Sequence, residues 1–281
     1  MGGDTTTPQN QARHTIDLEL TNKTAIVTGG SKGIGKAIAR ELAREGVDVV
    51  IAARSLEPLE VTARELEAET GRRIIPIQAD TGDDDAVRNL VQKATKALGH
   101  IDILVNNAAK PGGQGHVPSL EEITNEMFWD DMNVKVMGYL RCAREVAPLM
   151  KKRGWGRIIN ISGMAARSSG STIGSMRNVA VSAMTKNMAD ELGPHGINVT
   201  VVHPGATRTE ATAEIVEARA RAEGVSGTEI EAGMAQRNTV RRLIDATEIA
   251  YVVAFLASPK AGSITGDAIA AGGGSGPGIH Y

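Results

Sequence analysis

Apolar residues along this chain fall into two rhythms that alternate almost from end to end. Short unbroken runs, at Ala25-Ile26-Val27 and over 47–53, 73–78, 100–105, 157–161 and 197–202, are of the Val- and Ile-rich kind that parallel strands use when both faces are covered. Between the runs, apolar residues recur at helical spacing, first at Ile34, Ala37, Ile38 and Leu42. The pattern predicts helices over 34–45, closed by Gly46, and over 57–70, with Pro58 in the first turn. Further helices are predicted from Asp83-Asp84-Asp85 onward, over 128–150, over 173–192 and through 210–257, before a last strand over 267–271. Strands and helices in this alternation predict an α/β fold: one doubly wound parallel sheet of about seven strands, with helices on both faces. Residues 1–17 are polar and aperiodic and are expected to form a mobile arm, whereas no compositional break divides 18–281.

In such a sheet ligands bind beyond the carboxyl ends of the strands, where the strand order switches. Every strand end here carries unusual residues: Thr28-Gly29, Arg54, Asp80-Thr81, Asn106-Asn107, Ser162-Gly163 and Pro204-Gly205. The first is the most informative, because Lys23 to Gly35 reads KTAIVTGGSKGIG, a strand running through a glycine turn into a helix start. Glycines let the backbone approach a phosphate closely, and the free N–H groups and helix dipole favour its charge. The spacing is T-G-x-x-x-G-x-G, with three residues between its first two glycines where the G-x-G-x-x-G fingerprint has one. A glycine turn that merely ends a strand has the same composition, so this turn alone leaves both readings open.

Composition narrows the function classes. Of 281 residues, 41% are hydrophobic but only 2% aromatic, so the core must be packed from Ala, Val, Ile, Leu and Met. A formal net charge of −2 leaves no basic footprint for nucleic acid. No apolar run is long enough to span a membrane. The single cysteine, Cys142, excludes a disulfide within the chain and suits a reducing compartment. A cytoplasmic protein acting on a small molecule, without a metal, is the expectation.

Taken in order, the strand-end residues and their neighbours form a recognisable series. Thr28-Gly29-Gly30-Ser31-Lys32-Gly33-Ile34-Gly35, Asp80, Asn106-Asn107-Ala108, Asn133, Arg157-Ile158-Ile159-Asn160-Ile161-Ser162, Pro204-Gly205 with Thr209, and Ile264-Thr265-Gly266 before Gly272-Gly273 resemble the motifs of the short-chain dehydrogenase/reductase family over about residues 19–274. The likeness is to members of the 3-oxoacyl-[acyl-carrier-protein] reductase kind. It implies a single Rossmann-type domain, a nicotinamide cofactor, a small-molecule substrate, and a homo-oligomer (tetramer or dimer) built through the helices near 128–150 and 174–192. It also implies that Gly29, Ser31, Lys32, Gly33, Ile34, Gly35, Asn107, Ala108, Pro204 and Gly205 bind the cofactor. Asp80 and Thr81 are then expected at the adenine, Asn106 on the adenosine ribose side, and Thr209 at the nicotinamide amide. Ala53 stands where NAD-binding members usually carry an acid for the ribose 2′-OH, and Arg54 follows it. Arg54 together with Lys32 favours a 2′-phosphate, which predicts NADP(H) over NAD(H).

The family's chemistry needs a Ser, a Tyr and a Lys, with an Asn behind them, and here the pattern breaks. Counting back from Gly196-Ile197-Asn198-Val199 puts the Tyr position at Gly174 and the Lys position at Asn178. Counting forward from Ile161 puts the Ser position at Gly163, beside Ser162, and the loop between is about two residues short. Only Asn133 of the four is in place. Gly174 has no side chain to give or take a proton, and general acid–base catalysis contributes ~10²–10⁴-fold. Ser162 is a candidate for the serine's role, or it only bonds backbone at the strand end. Arg177 is a permanently charged electrophile or a helix-surface ion pair. Ser175 reads as a cap, Lys186 as solvent-facing, His203 as a core histidine, Tyr139 as core or interface, and Cys142 as buried; His116 lies in a flexible loop over the site. The region 205–242, with Arg219, Arg221, Arg237, Arg241 and Arg242 and no aromatic residue, is expected to cover the substrate. Three functions stay open: an NADP(H)-dependent oxidoreductase (carbonyl or enone reductase or alcohol dehydrogenase) with an atypical site, a non-catalytic NADP(H)-binding regulatory protein, and a non-redox lyase or hydratase on the same scaffold.

Overall fold

The computed structural model describes residues 16–109 and 117–276. The expected N-terminal arm, but for Ile16 and Asp17, and the loop residue His116 lie outside the described residues. Strands and helices alternate as the apolar rhythm predicts: β1 (Thr24–Thr28), α1 (Gly33–Arg44), β2 (Asp48–Ala53), α2 (Leu56–Thr70), β3 (Ile74–Gln78), α3 (Asp84–Leu98) and β4 (Ile103–Asn106). Next, α4 (Asn125–Met132), a π turn (Asn133–Met137) and α5 (Gly138–Arg153) run without a break into the approach to β5 (Gly156–Ile161). The chain continues through α6 (Thr172–Leu192), β6 (Ile197–Pro204), β7 (Thr207–Arg208), α7 (Thr212–Glu223), α8 (Gly227–Gln236), β8 (Ile244–Asp245), α9 (Ala246–Ala257) and β9 (Ala268–Ala271).

Seven strands form one parallel sheet in the order β3-β2-β1-β4-β5-β6-β9. Successive side chains of a strand point to opposite faces, and here both faces are apolar. Ala25, Val27, Val49, Ile51, Ile103 and Val105 join α1, α2 and α9 in one core. Ile26, Val50, Ala52 and Leu104 join α3, α5 and the end of α6 in the other. That double burial is why the strands read as unbroken apolar runs. Pro76, which lacks an N–H, is tolerated because β3 is an edge strand. Two expectations need amendment. The helix predicted over 128–150 starts earlier and contains the π turn, and the helical region over 210–257 is interrupted by β8, which pairs with β7 just ahead of that region. A two-residue pairing is too short to leave a period in the sequence. Among the described residues no helix is long and apolar enough to cross a membrane.

Candidate active site

The strand order reverses between β1 and β4, and the loops leaving these two strands are tied together. Thr28 Oγ1 accepts hydrogen bonds from the N–H groups of Asn107 (3.0 Å) and Ala108 (3.1 Å). The Asn107 amide donates to the carbonyls of Thr28 and Gly29, each at 3.1 Å. The turn is sterically closed to anything but glycine. Gly29 has φ +66°, and a Cβ there would lie 2.8 Å from the Asn107 amide nitrogen; a Cβ on Gly35 would lie 2.1 Å from the Gly29 carbonyl oxygen. Ser31 O accepts from Thr62 Oγ1 at 2.8 Å, which pins the loop to α2. Gly33 N, at the start of α1, donates to the Glu210 carboxylate at 2.9 Å. A carboxylate therefore stands where a helix N-terminus receives anions.

A cavity of about 350 Å³ opens beside this turn, lined by Gly29, Ser31, Lys32, Arg54, Asp80, Thr81, Asn107, Ala108 and Val134 among others. Ala53 lines it with a methyl group and no carboxylate. Lys32 and Arg54 are exposed and drawn into no ion pair among the described residues. Asp80 turns back on its own loop, accepting from Gly82 N at 2.8 Å. Asn106, expected beside these residues, does not present its side chain here. It is fully buried, and its amide donates to Asn160 Oδ1 at 2.9 Å, because alternation along β4 turns it into the core. Thr209 does not line this cavity; it comes against Gly33 at the start of α1. Pro204 is buried at the end of β6, and at Gly205 a Cβ would meet Gly272 Cα at 2.7 Å, so the two loops cross only as glycines.

The end of β5 is built from side chains instead. Ser162 Oγ donates to Asn178 Oδ1 at 3.0 Å, and Asn178 Nδ2 donates to the Gly174 carbonyl at 2.8 Å, which fixes the amide. Lys135, from the π turn, reaches the same point: its Nζ donates to Asn178 Oδ1 and to the Ser162 carbonyl, each at 3.0 Å. Lys135 is 4% exposed, and burial, reinforced by the Arg177 charge and opposed by Asp131, lowers its pKa to about 7. Arg177 is not on the helix surface; it is buried and its Nη1 donates to Asp131 Oδ1 at 2.5 Å, an ion pair that engages the cation proposed as an electrophile. Asn133 points elsewhere, donating to the Gly82 carbonyl at 3.2 Å; residues two apart on a helix do not share a face, so it and Lys135 diverge. Tyr139 is buried and donates to Ile161 O at 2.8 Å, and burial raises its pKa, so it is not an acid–base group near neutrality. Cys142 is likewise buried, its thiol pushed up to about 12. His203 is buried at the end of β6, 3.4 Å from Ser182 Oγ. Lys186 faces solvent and pairs with Asp190. Ser175 Oγ donates to Ser168 O; the α6 cap is Ser171, which accepts from Gly174 N at 3.1 Å. No group of three or more His, Cys, Asp or Glu suited to a metal occurs among the described residues.

The chain matches the short chain dehydrogenase family over residues 23–220. It belongs to that family. This short chain dehydrogenase is 35% identical over 258 residues to an uncharacterized oxidoreductase of Methylorubrum extorquens, covering 91% of this chain and 98% of the relative. It is 32% identical over 259 residues to the NADPH-dependent reductase BacG of Bacillus subtilis, again covering 91% and 98%. Its fold matches that of L-sorbose reductase from Gluconobacter frateurii, solved with NADPH and L-sorbose, with a TM-score of 0.88, 28% identity, and 94% and 100% of the two chains covered.

Two residues of this short chain dehydrogenase escaped the sequence reading. Lys135 left one signal, a lone cation in the apolar run Val134-Lys135-Val136-Met137. Glu210 left none, because nothing local in sequence connects it to Gly33.

Proposed function

We propose that this chain is an NADP(H)-dependent reductase of small carbonyl or enone compounds with an atypical acid–base apparatus. The observation that supports it most is the cavity at the strand switch, flanked by the cations Lys32 and Arg54, which pair with no carboxylate among the described residues, and carrying Ala53 in place of an acid. The donors present suit a dinucleotide phosphate, since the glycine turn leaves no room for a Cβ and already holds a carboxylate at Gly33 N. In this reading Gly29, Ser31, Gly33, Ile34 and Gly35 cradle the diphosphate and Lys32 and Arg54 take the 2′-phosphate. Asp80, Thr81, Asn107 and Ala108 line the adenosine side, and Pro204, Gly205 and Thr209 close the other end. The nicotinamide, when bound, supplies a hydride. What the chain's residues add is orientation, exclusion of water and a proton for the substrate oxygen. Gly174 and Asn178 stand in this reading where relatives of the family carry the Tyr and Lys, so that proton has to come from elsewhere. Reductase and NADPH-linked names among the relatives point the same way.

Exposed Met127, Trp129, Met137, Leu140, Met176 and Val179 on α4, the π turn, α5 and α6 support association into a dimer or tetramer through these helices. A cytoplasmic setting fits the single cysteine. The test is NADPH oxidation against a panel of ketones, aldehydes and enones, alongside NADPH and NADH titrations. Turnover with a preference for NADPH is expected. Micromolar NADPH binding with no turnover rejects the reductase and favours the non-catalytic reading, for which the absent side chain at Gly174 speaks.

A further inference from the structure

We propose that Lys135 is the proton donor of this site, its amine brought to the end of β5 by the π turn and held there by Asn178 and the Ser162 carbonyl. The inference rests on the reductase reading above and names the group that reading lacks. Lys135 is the one buried lysine among the described residues, and lysines are almost never fully buried without a charged partner. Its two acceptors are neutral oxygens. The nearby carboxylate, Asp131 on α4, is paired with Arg177 on α6, so its attraction for the Lys135 charge is opposed by the repulsion of that guanidinium. The facing phenol of Tyr139 on α5 is committed to Ile161 O. These groups leave Lys135 poised between charged and neutral forms close to physiological pH, where a general acid works best.

The location argues for use as well as for titration. Asn178 lies in the second turn of α6, and its Oδ1 gathers the Ser162 hydroxyl and the Lys135 amine at one point. Val134, the neighbour of Lys135, lines the cavity at the strand switch. The π turn supplies the reach. Such turns cost regular helical hydrogen bonding and occur often at functional sites, and this one aims Asn133 at Gly82 while Lys135 faces β5 and α6. An ammonium has three N–H groups; two are used, and the third is free for a substrate oxygen. As a carbonyl oxygen takes on negative charge, its new O–H bond forms while an N–H bond of Lys135 breaks. The electron pair stays on nitrogen, the neutral amine keeps both hydrogen bonds, and a proton taken up from solution recharges it, so one proton is consumed per turnover. Asn178 and Ser162 are positioning residues in this scheme.

The experiment follows the lysine ε-carbons by NMR from pH 5 to 11 in the full chain, with and without NADPH, and assigns Lys135 by its loss in Lys135→Met. Lys135 is expected to titrate near pH 7; titration at the ordinary lysine value of about 10.4 overturns the proposal. On any substrate that turns over, Lys135→Met should keep NADPH affinity but lose ~10²–10⁴-fold in kcat, together with the pH dependence near neutrality. Lys135→Arg, which keeps the charge but does not titrate, should be nearly as slow. Wild-type kcat and an unaltered pH profile in Lys135→Met also overturn it. If no carbonyl or enone turns over, the reductase reading fails, and the NMR titration still decides whether Lys135 exchanges a proton near neutrality.

Discussion

The two ends of the active-site edge are made of different material. At β1 the site is backbone: Gly29 and Gly35 leave no room for a Cβ, and Gly33, at φ +58°, presents its N–H to a carboxylate. At β5 it is side chains, with Ser162, Asn178 and Lys135 converging from a strand end, a helix and a π turn. A backbone site tolerates little substitution, and the side chains that brace it, Thr62, Asn107 and Glu210, hold main-chain atoms of the turn. A side-chain site can change its members, provided the helix registers that aim them change as well. On the function proposed above, this contrast would let one edge keep its cofactor half while its chemical half changes.

The largest effect should come from breaking the backbone half. Gly35→Ala puts a Cβ 2.1 Å from the Gly29 carbonyl oxygen, so main chain has to move. NADPH affinity is expected to fall more than ~100-fold in a calorimetric titration, with a stability loss of about 1–3 kcal/mol or more for the overpacking. Next comes the charge beside the cavity. Arg54→Asp replaces the cation proposed to pair with the 2′-phosphate by a repelling anion and should cost NADPH ~10–100-fold, charge-assisted hydrogen bonds being worth about 1.5–3 kcal/mol, while NADH binding holds or improves. Equal losses for both cofactors would show that Arg54 does not read the 2′ position.

The side-chain half is sharpened by pH. Lys135 has a folded pKa of about 7 against 10.5 for the ordinary group, so between these values the unfolded chain binds the extra proton. Stability from this group is therefore full above pH 10.5, falls as pH drops, and is lost at pH 7 and below, where the buried ammonium bears its whole desolvation cost. The slope approaches ~1.4 kcal/mol per pH unit in that window. Urea unfolding of wild type minus Lys135→Met, which cancels other titrating groups, should show that slope. A flat difference would mean that Lys135 is charged at all these pH values.

Legibility followed the same division. The seven strands and the glycine turn were readable because an apolar run or a close backbone approach leaves a local mark in sequence. Asn106 misled because family position says which loop a residue occupies, while alternation along β4 decides which way it faces. Lys135 went unmarked because a π turn over Asn133–Met137 has no sequence period to announce it, and only the fold brings the amine to Asn178 and Ser162. For Arg177 the sequence leaves an electrophile or a surface ion pair; the ion pair it makes is buried, with Asp131, 46 positions away along the chain.

The smallest effects test whether the side-chain half could accept the family pattern at all. A Cβ on Gly163 would meet Asn178 Oδ1 at 3.5 Å, an ordinary contact, and its backbone is extended, with φ 176°. Gly163→Ser should thus be close to neutral, within about 0.5 kcal/mol, and leave NADPH affinity unchanged. A Cβ on Gly174 would lie 2.8 Å from Ser171 Oγ, the hydroxyl that caps α6 by accepting from Gly174 N. Gly174→Ala should therefore cost up to ~1 kcal/mol, the worth of an N-cap, offset in part by the gain in helix propensity. Thermal melts of the two variants side by side make the comparison. If Gly174→Ala is as neutral as Gly163→Ser, the cap yields easily, and a side chain at 174 is then excluded by nothing in the start of α6.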